Sequence, residues 1–418
     1  MHNYSPVKTV LIALLFIFIY TLNPGHSFCR GKKEKKEPGE LRFWHSIGIG
    51  NKDILNSMVQ SYNQTDPKMP VKPVFRGDEE ELYLKLQSRE TLPDIIQVPV
   101  YFLQNLQQKD YIIPLGSFIS NQMLSDIPGK FWDSVSVLNH IMGIPFSYSL
   151  NLLYVNQHIV KTSGPTIKSR MVTWNDISSL TAGIKKTIGD KWGMFIPMET
   201  LIQFISFVES YSGKPLLKDQ KLIVDTPEAV SAMEFLQQMV YQNTVMPAKI
   251  TVNEGHQIFL AGNLGMLFAP SSILVYTRSH LPYTLDVWQL PAREETRPVV
   301  KGTCLGIVKS TSRREKESYR FIEYMVNYNN SIKWHTHTGN PPIRKSVRES
   351  LDVLIFYEEN PGYLVPVAEL NRGKIFNPRF DYASINKIIQ KALEEIMLNR
   401  KPPAKVLSNA QKEINDYL

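Results

Sequence analysis

The alternation of apolar and polar positions divides the chain into one long apolar run followed by many short ones. Residues 10–22 are apolar apart from Thr21, with Lys8 just before them and no acidic residue ahead. As a helix this run reaches about 20 Å, short of the roughly 30 Å hydrocarbon core but right for the hydrophobic part of a secretory signal. Pro24-Gly25 breaks it and the small Ser27 follows. Residues 1–28 are therefore read as a signal peptide, with a permanent N-terminal anchor as the alternative. From residue 41 the period changes. A strand at 41–44 precedes an amphipathic helix at 54–62, which carries Ile54, Leu55, Met58 and Val59 on one side. A strand at 71–75, a helix at 79–88 and a strand at 94–98 come next. Hydrophobic strands alternating with helices predict an α/β unit with a largely parallel sheet.

The same alternation continues. The pattern predicts a helix at 102–107, a strand pair within 138–145, a strand at 152–154 and a helix at 172–180 capped by Thr173. Helices follow at 200–211, at 227–242 behind Asp225-Thr226-Pro227, and at 255–262. A strand at 265–268 and helices at 319–328 and 382–399 complete the reading. No fixed-period repeat is present, which argues against solenoids and propellers. Strands that recur far along the chain with helices between them suit two α/β lobes better than one large sheet.

Composition narrows the class. The 418 residues are 43% apolar and 21% charged, a balance that excludes disordered, fibrous and multi-spanning membrane proteins. The formal charge of +8 would suggest nucleic acid only if it were clustered. Residues 1–28 carry one charge, Lys8, so their removal leaves 46 basic against 39 acidic residues. Part of that surplus lies in the charged stretch 30–40, and the rest is spread thinly. Nucleic-acid binding is not expected. Cys29 ahead of this stretch resembles a lipidated cysteine with a solvated tether at 29–40; cleavage after Ser27 is the alternative. Cys304 lies in an apolar stretch and reads as a buried free thiol, so neither a disulfide framework nor a zinc site is expected.

Other constellations have two readings each. His335 and His337, with His45, could ligate a metal, but histidines two apart share a face only in a strand, and no acid accompanies them. A structural role fits better. The run Asp78-Glu79-Glu80-Glu81 reads as a helix N-terminus complementing the dipole, at least for Glu80 and Glu81. The same run also offers Glu79 as one carboxylate of a glycosidase pair. Trp44 and His45 end the first strand, where open α/β sheets bind ligands, although Trp44 could simply pack on the first helix. Tyr148 could stack on a sugar ring or pack as a core tyrosine.

An ordered set of short motifs carries a resemblance. Phe43-Trp44-His45-Ser46, Phe75-Arg76-Gly77, Pro93-Asp94-Ile95-Ile96-Gln97-Val98, Pro145-Phe146-Ser147, Leu153-Tyr154-Val155-Asn156 and Thr173-Trp174 stand in one order. Later come Trp334-His335-Thr336-His337-Thr338-Gly339-Asn340-Pro341-Pro342-Ile343 and Phe356-Tyr357-Glu358-Glu359-Asn360-Pro361-Gly362. Over nearly the whole mature chain this resembles the extracellular solute-binding proteins of ABC importers in the carbohydrate-uptake group, most of all its glycerol-3-phosphate-binding branch. The resemblance implies an α/β, two-lobed periplasmic-binding-protein-like fold (type II). Its discontinuous lobes are joined by hinge strands, with a ligand cleft between them. Lobe 1 would be 41–148 plus 303–329, and lobe 2 would be 152–300 plus 332–418, with hinges near 147–151 and 300–303.

The resemblance also implies site residues. Ser149, Ser271, Gly302 and Arg379 stand at ligand positions and can donate hydrogen bonds to hydroxyl or phosphate oxygens, Arg379 in a bidentate way. Elsewhere the pattern is departed from. Glu79 stands where a ligand tyrosine is expected and Val100 where a glutamate is. Met198 and Leu201 replace two stacking tryptophans, and Asn340 replaces a tyrosine. Asp78, with Glu79, falls where family members line the cleft. A pocket with fewer aromatics and an added carboxylate leaves the ligand open among small sugars, polyols and related phosphates. The main expectation is an exported binding protein, monomeric and without cofactor, that serves an ABC permease and performs no chemistry. The alternatives are an extracytoplasmic glycosidase using Glu79, and a receptor that kept the fold but lost transport.

Overall fold

Mostly apolar runs become the central strands. In β1 (Leu41–His45), β2 (Val71–Phe75) and β3 (Ile95–Pro99), β1 and β3 are buried at every position, as strands covered on both faces require. A computed structural model describes residues 39–88, 91–163, 172–248, 251–291 and 296–417. The expected signal peptide (residues 1–28), Cys29 and nearly all of the expected tether lie outside these. Further strands are β4 (Ile144–Asn156), β5 (Trp192–Phe195), β6 (Leu264–Pro270), β7 (Leu285–Trp288), β8 (Val299–Ile307) and β9 (Lys374–Ile375). Their order is β2-β1-β3-β8-β4-β6-β5, with β7 added to β4 and β9 to β8. β1 runs parallel to β2 and β3, whereas β8 is antiparallel to both β3 and β4.

One strand serves both ends of this sheet. β4 is 13 residues long. Its first half, up to Leu150, pairs with β8. From Asn151 onward it pairs with β6, and from Leu153 with β7 as well. A β-bulge at Thr303/Cys304 shifts the β4–β8 register beside the change of partner.

Helices α1 (Ile49–Asn63), α2 (Glu79–Gln87), α3 (Leu103–Gln108) and α4 (Gly129–Ser134) accompany the first strands. Next come α5 (Trp174–Thr187), α6 (Leu201–Ser212), α7 (Pro227–Gln237), α8 (Val252–Leu260) and α9 (Leu274–His280). Last are α10 (Ser312–Met325), α11 (Tyr328–Thr338), α12 (Leu364–Arg372), α13 (Tyr382–Met397) and α14 (Pro403–Asn415). Two aromatic nuclei mark the two ends of the sheet. Phe321 of α10 packs on Phe43 at 5.4 Å and Tyr62 at 5.1 Å. Trp174 meets Phe207 at 5.0 Å and Phe235 at 5.9 Å. Together Pro38–Leu418 forms one compact unit.

Helix starts follow local chemistry. Thr173 and Thr200 close capping boxes with Asp176 and Gln203, and Thr226 caps α7 ahead of Pro227. Three expectations change. The helix read at 319–328 is two helices, because the Asn327 side chain accepts the Asn330 N–H and starts α11 anew. The strand pair read at 138–145 is a hairpin of Ser136–Val137 with His140–Ile141. Its turn residues Leu138 and Asn139 are left-handed, with φ of 49° and 64°, while Pro145 belongs to β4. The strand read at 152–154 is the second half of β4.

Candidate functional site

The loops at the carboxyl ends of β2 and β3 meet α13 and the start of β8. Asp78 is the N-cap of α2, its carboxylate accepting the Glu81 N–H at 2.8 Å. Glu79 Oε2 accepts two donors: the Lys301 ammonium at 2.6 Å and the Tyr101 hydroxyl at 3.1 Å. Tyr101, directly after β3, is buried, and burial pushes its hydroxyl pKa well up. Its ring stacks on Tyr382 of α13 at 4.1 Å. Glu80 accepts a hydrogen bond from Asn386 Nδ2, and Asn386 Oδ1 accepts the Leu201 N–H at 2.7 Å. Burial raises the Glu80 carboxyl pKa, with the Asn386 bond acting against it. The first turn of α2 is thus tied to β8 and α13.

Across β4 and β8, Tyr148 pairs with Gly302 and Ser149 with Lys301. Because side chains alternate along a strand, the two pairs face opposite ways. Tyr148 is fully buried, its hydroxyl 2.8 Å from Ser134 Oγ and its ring edge-on to Phe131 at 4.7 Å. The sugar-stacking expectation for Tyr148 gives way to packing in this arrangement. Gly302 is required here, since a Cβ would fall 2.4 Å from Tyr148 Cε1. Ser271 is fully buried, and its Oγ accepts the Leu150 N–H at 3.4 Å.

Arg379 lies elsewhere. It is exposed, its N–H donates to Gln220 Oε1 at 2.9 Å, and it lines a cavity of about 880 Å³. Val100, Gln104, Asp133 and Ser134 line one part of that cavity; Gln220, Arg297, Lys374 and Asn377 line the other. Lys130 also lines it, with its ammonium on the Leu370 and Asn371 carbonyls at 2.6 and 3.1 Å. Among the described residues the charged lining is therefore Lys130, Arg297, Lys374 and Arg379 against Asp133. Asn377 Nδ2 donates to the Ser134 carbonyl at 3.0 Å, joining the two parts.

The other expected positions scatter. Met198 lines a separate, more apolar cavity of about 550 Å³ with Phe195, Val240, Met246 and Met397. Leu201 is core. Trp44 is buried beneath the Arg76 guanidinium, 4.1 Å from the ring centre. His45 is buried against Phe43 and Phe75, and its pKa is pushed down to about 4 by burial and then by Lys52. Asn340 is buried, and its carbonyl accepts from His335 Nδ1 at 2.8 Å. His335 and His337 stand on helix α11, one buried and the other exposed. Cys304 is a buried free thiol whose pKa burial pushes up.

Sequence reasoning missed Lys301, Tyr101 and Tyr382, and the cations Lys130, Arg297 and Lys374. Lys301 carried no sequence signal: only its pairing with Ser149 in β8 puts it on the face of an expected ligand residue.

This architecture has known counterparts. The bacterial extracellular solute-binding protein family matches residues 57–363. The chain belongs to that family. The sn-glycerol-3-phosphate-binding periplasmic protein UgpB of Escherichia coli is 24% identical over 412 residues, covering 90% of this chain and 92% of that protein. UgpB of Salmonella typhimurium is also 24% identical, with the same coverage. Among solved structures, UgpB from Mycobacterium tuberculosis in complex with glycerophosphocholine superposes with a TM-score of 0.78 at 18% identity, covering 91% of this chain and 98% of that one. Maltose-bound MalE3 of T. maritima gives 0.79 at 19% identity, covering 90% and 99%. The fold is thus the two-lobed periplasmic-binding type. Solute-binding proteins of this family work outside the cytoplasm, bind small ligands and deliver them to ABC permeases. Among the described residues, no helix is long and apolar enough to cross a membrane.

Proposed function

We propose that this solute-binding protein captures a small sugar, polyol or glycerol-phosphate-type ligand between lobe 1 (41–148 plus 303–329) and lobe 2 (152–300 plus 332–418). It then hands the ligand, chemically unchanged, to its permease. The observation that carries this reading is the cavity of about 880 Å³, lined from both proposed lobes and bearing, among the described residues, four cationic side chains against one carboxylate. Such a surplus focuses field and favours an anionic solute. The lobe boundaries are supported by β4, which changes partners between Leu150 and Asn151. Relatives that bind glycerol 3-phosphate, glycerophosphocholine and maltose bracket the solute class. The protein acts as a monomer, without cofactor and without nucleic acid. A glycosidase needs two carboxylates facing one substrate. Among the described residues the charged lining includes a single carboxylate, and Glu79 is engaged by Lys301.

A thermal-shift screen against small carbohydrates and glycerol phosphates tests this. A true ligand at one hundred times its Kd should add about 2.7 kcal/mol of stability and be recovered unaltered. Turnover of a glycoside, lost in Glu79→Gln, would establish the enzyme instead; silence across the panel would favour a receptor that has lost transport. For a phosphorylated ligand, Arg379→Ala should weaken binding by about 1.5–3 kcal/mol, the worth of a charge-assisted contact. Unchanged affinity would remove Arg379 from the site.

A further inference from the structure

Two donors converge on one oxygen at the carboxyl ends of β2 and β3. The Lys301 ammonium at 2.6 Å and the Tyr101 hydroxyl at 3.1 Å both point at Glu79 Oε2. A cation and a hydroxyl aimed at a single anionic oxygen make the donor arrangement of an oxyanion receptor. Here the protein's own carboxylate fills it.

We infer that Tyr101 and Lys301 form an oxyanion receptor for a phosphate-bearing solute, with Glu79 as the intramolecular anion that such a solute displaces. This deepens the solute-capture reading and rests on it. Four observations support it. Open α/β sheets bind ligands at this edge of their strands. The ion pair is partly solvated, with side-chain exposures of 32% for Lys301 and 22% for Glu79, and partly exposed pairs are weak enough to be exchanged. Lysine carries three donors, so its ammonium can take ligand oxygens as the carboxylate leaves. Tyr101 also links the receptor to the large cavity: its chain neighbour Val100 lines that cavity, and its ring edge meets Phe376 at 6.0 Å, between the lining residues Ile375 and Asn377. Displaced from Lys301, Glu79 is free to turn to solvent.

The test is isothermal titration of wild type, Glu79→Gln and Lys301→Met with inorganic phosphate, sn-glycerol 3-phosphate and maltose. Glu79→Gln should tighten both phosphates about fivefold or more, and Lys301→Met should weaken them about tenfold or more. Maltose should respond to neither change. If both variants stay within about twofold of wild type for the phosphates, the receptor is overturned. It is overturned equally if neither phosphate binds Glu79→Gln. The two readings fail separately. Maltose binding without any phosphate effect leaves solute capture standing. Phosphate binding that appears only in Glu79→Gln upholds the receptor while counting against capture by the native chain. A circular-dichroism melt of each variant confirms that it is folded.

Discussion

Glu209 illustrates how burial alone sets a residue's chemistry. It sits on α6, about nine-tenths buried, where its Oε1 accepts the Leu216 N–H at 2.9 Å. Burial pushes its carboxyl up to about 7, against the lowering effects of the Leu216 amide and Lys374. The unfolded carboxyl ionises near its ordinary value, so between that pH and 7 the folded state holds the extra proton. Stability from this group is complete at low pH and falls as pH rises through 7, by at most about 3 kcal/mol. Glu209→Gln should therefore steepen the rise of melting temperature between about pH 5 and 6.5 and remove the decline from there to about 7; unchanged slopes would mean another group sets them. Gly302 offers a steric counterpart. A methyl group there meets the ring of Tyr148, which is itself walled in by Phe131 and Ser134. Gly302→Ala should cost about 1–3 kcal/mol, read as a lower urea midpoint with an unchanged slope.

At the scale of elements, caps are legible and breaks are less so. Thr173, Thr200 and Thr226 announce their helices because a cap is a bond within four residues. Thr200 Oγ accepts the Gln203 N–H at 3.3 Å, and Gln203 Oε1 accepts the Thr200 N–H at 3.1 Å. Thr200→Ala should cost about 1 kcal/mol, and no change in the denaturation midpoint would show that the Asn386 bond to the Leu201 N–H suffices to hold the helix start. The break between α10 and α11 is hidden, because the apolar period runs on while the Asn327 side chain restarts the backbone. Nor does the apolar pattern reveal that β4 runs unbroken for thirteen residues, since its two halves are buried by different partners.

The molecule as a whole combines opposing titrations. His45 and His335 are buried neutral, each pushed down to about 4, His45 by burial and Lys52, His335 by burial against the pull of the Asn340 carbonyl. The unfolded histidines take up protons below about 6.5, whereas the folded ones do so only near 4. Their contribution is therefore full at higher pH and lost as pH falls through that window. Glu209 acts in the other direction. Below about 6.5 His45 and His335 outweigh Glu209, and above it the Glu209 loss remains up to about 7. Melting temperature should rise from pH 4.5 to a maximum near 6.5 and then decline; a curve still climbing at pH 8 would contradict this balance.

Local chemistry alone determined the α/β alternation, the helix starts, the buried thiol and the ordered motifs that identify the family, because each depends on neighbours along the chain. Tertiary structure decided which residues meet. Glu79 finds Lys301, Tyr148 turns into the core while Ser149 faces the other way, and Arg379 joins Lys130, Arg297 and Lys374 around one cavity. These encounters depend on strand order and register between distant segments, and a shift of one residue in register would send every side chain to the opposite face. Periodicity along the chain shows that a strand exists, but not which strand lies beside it.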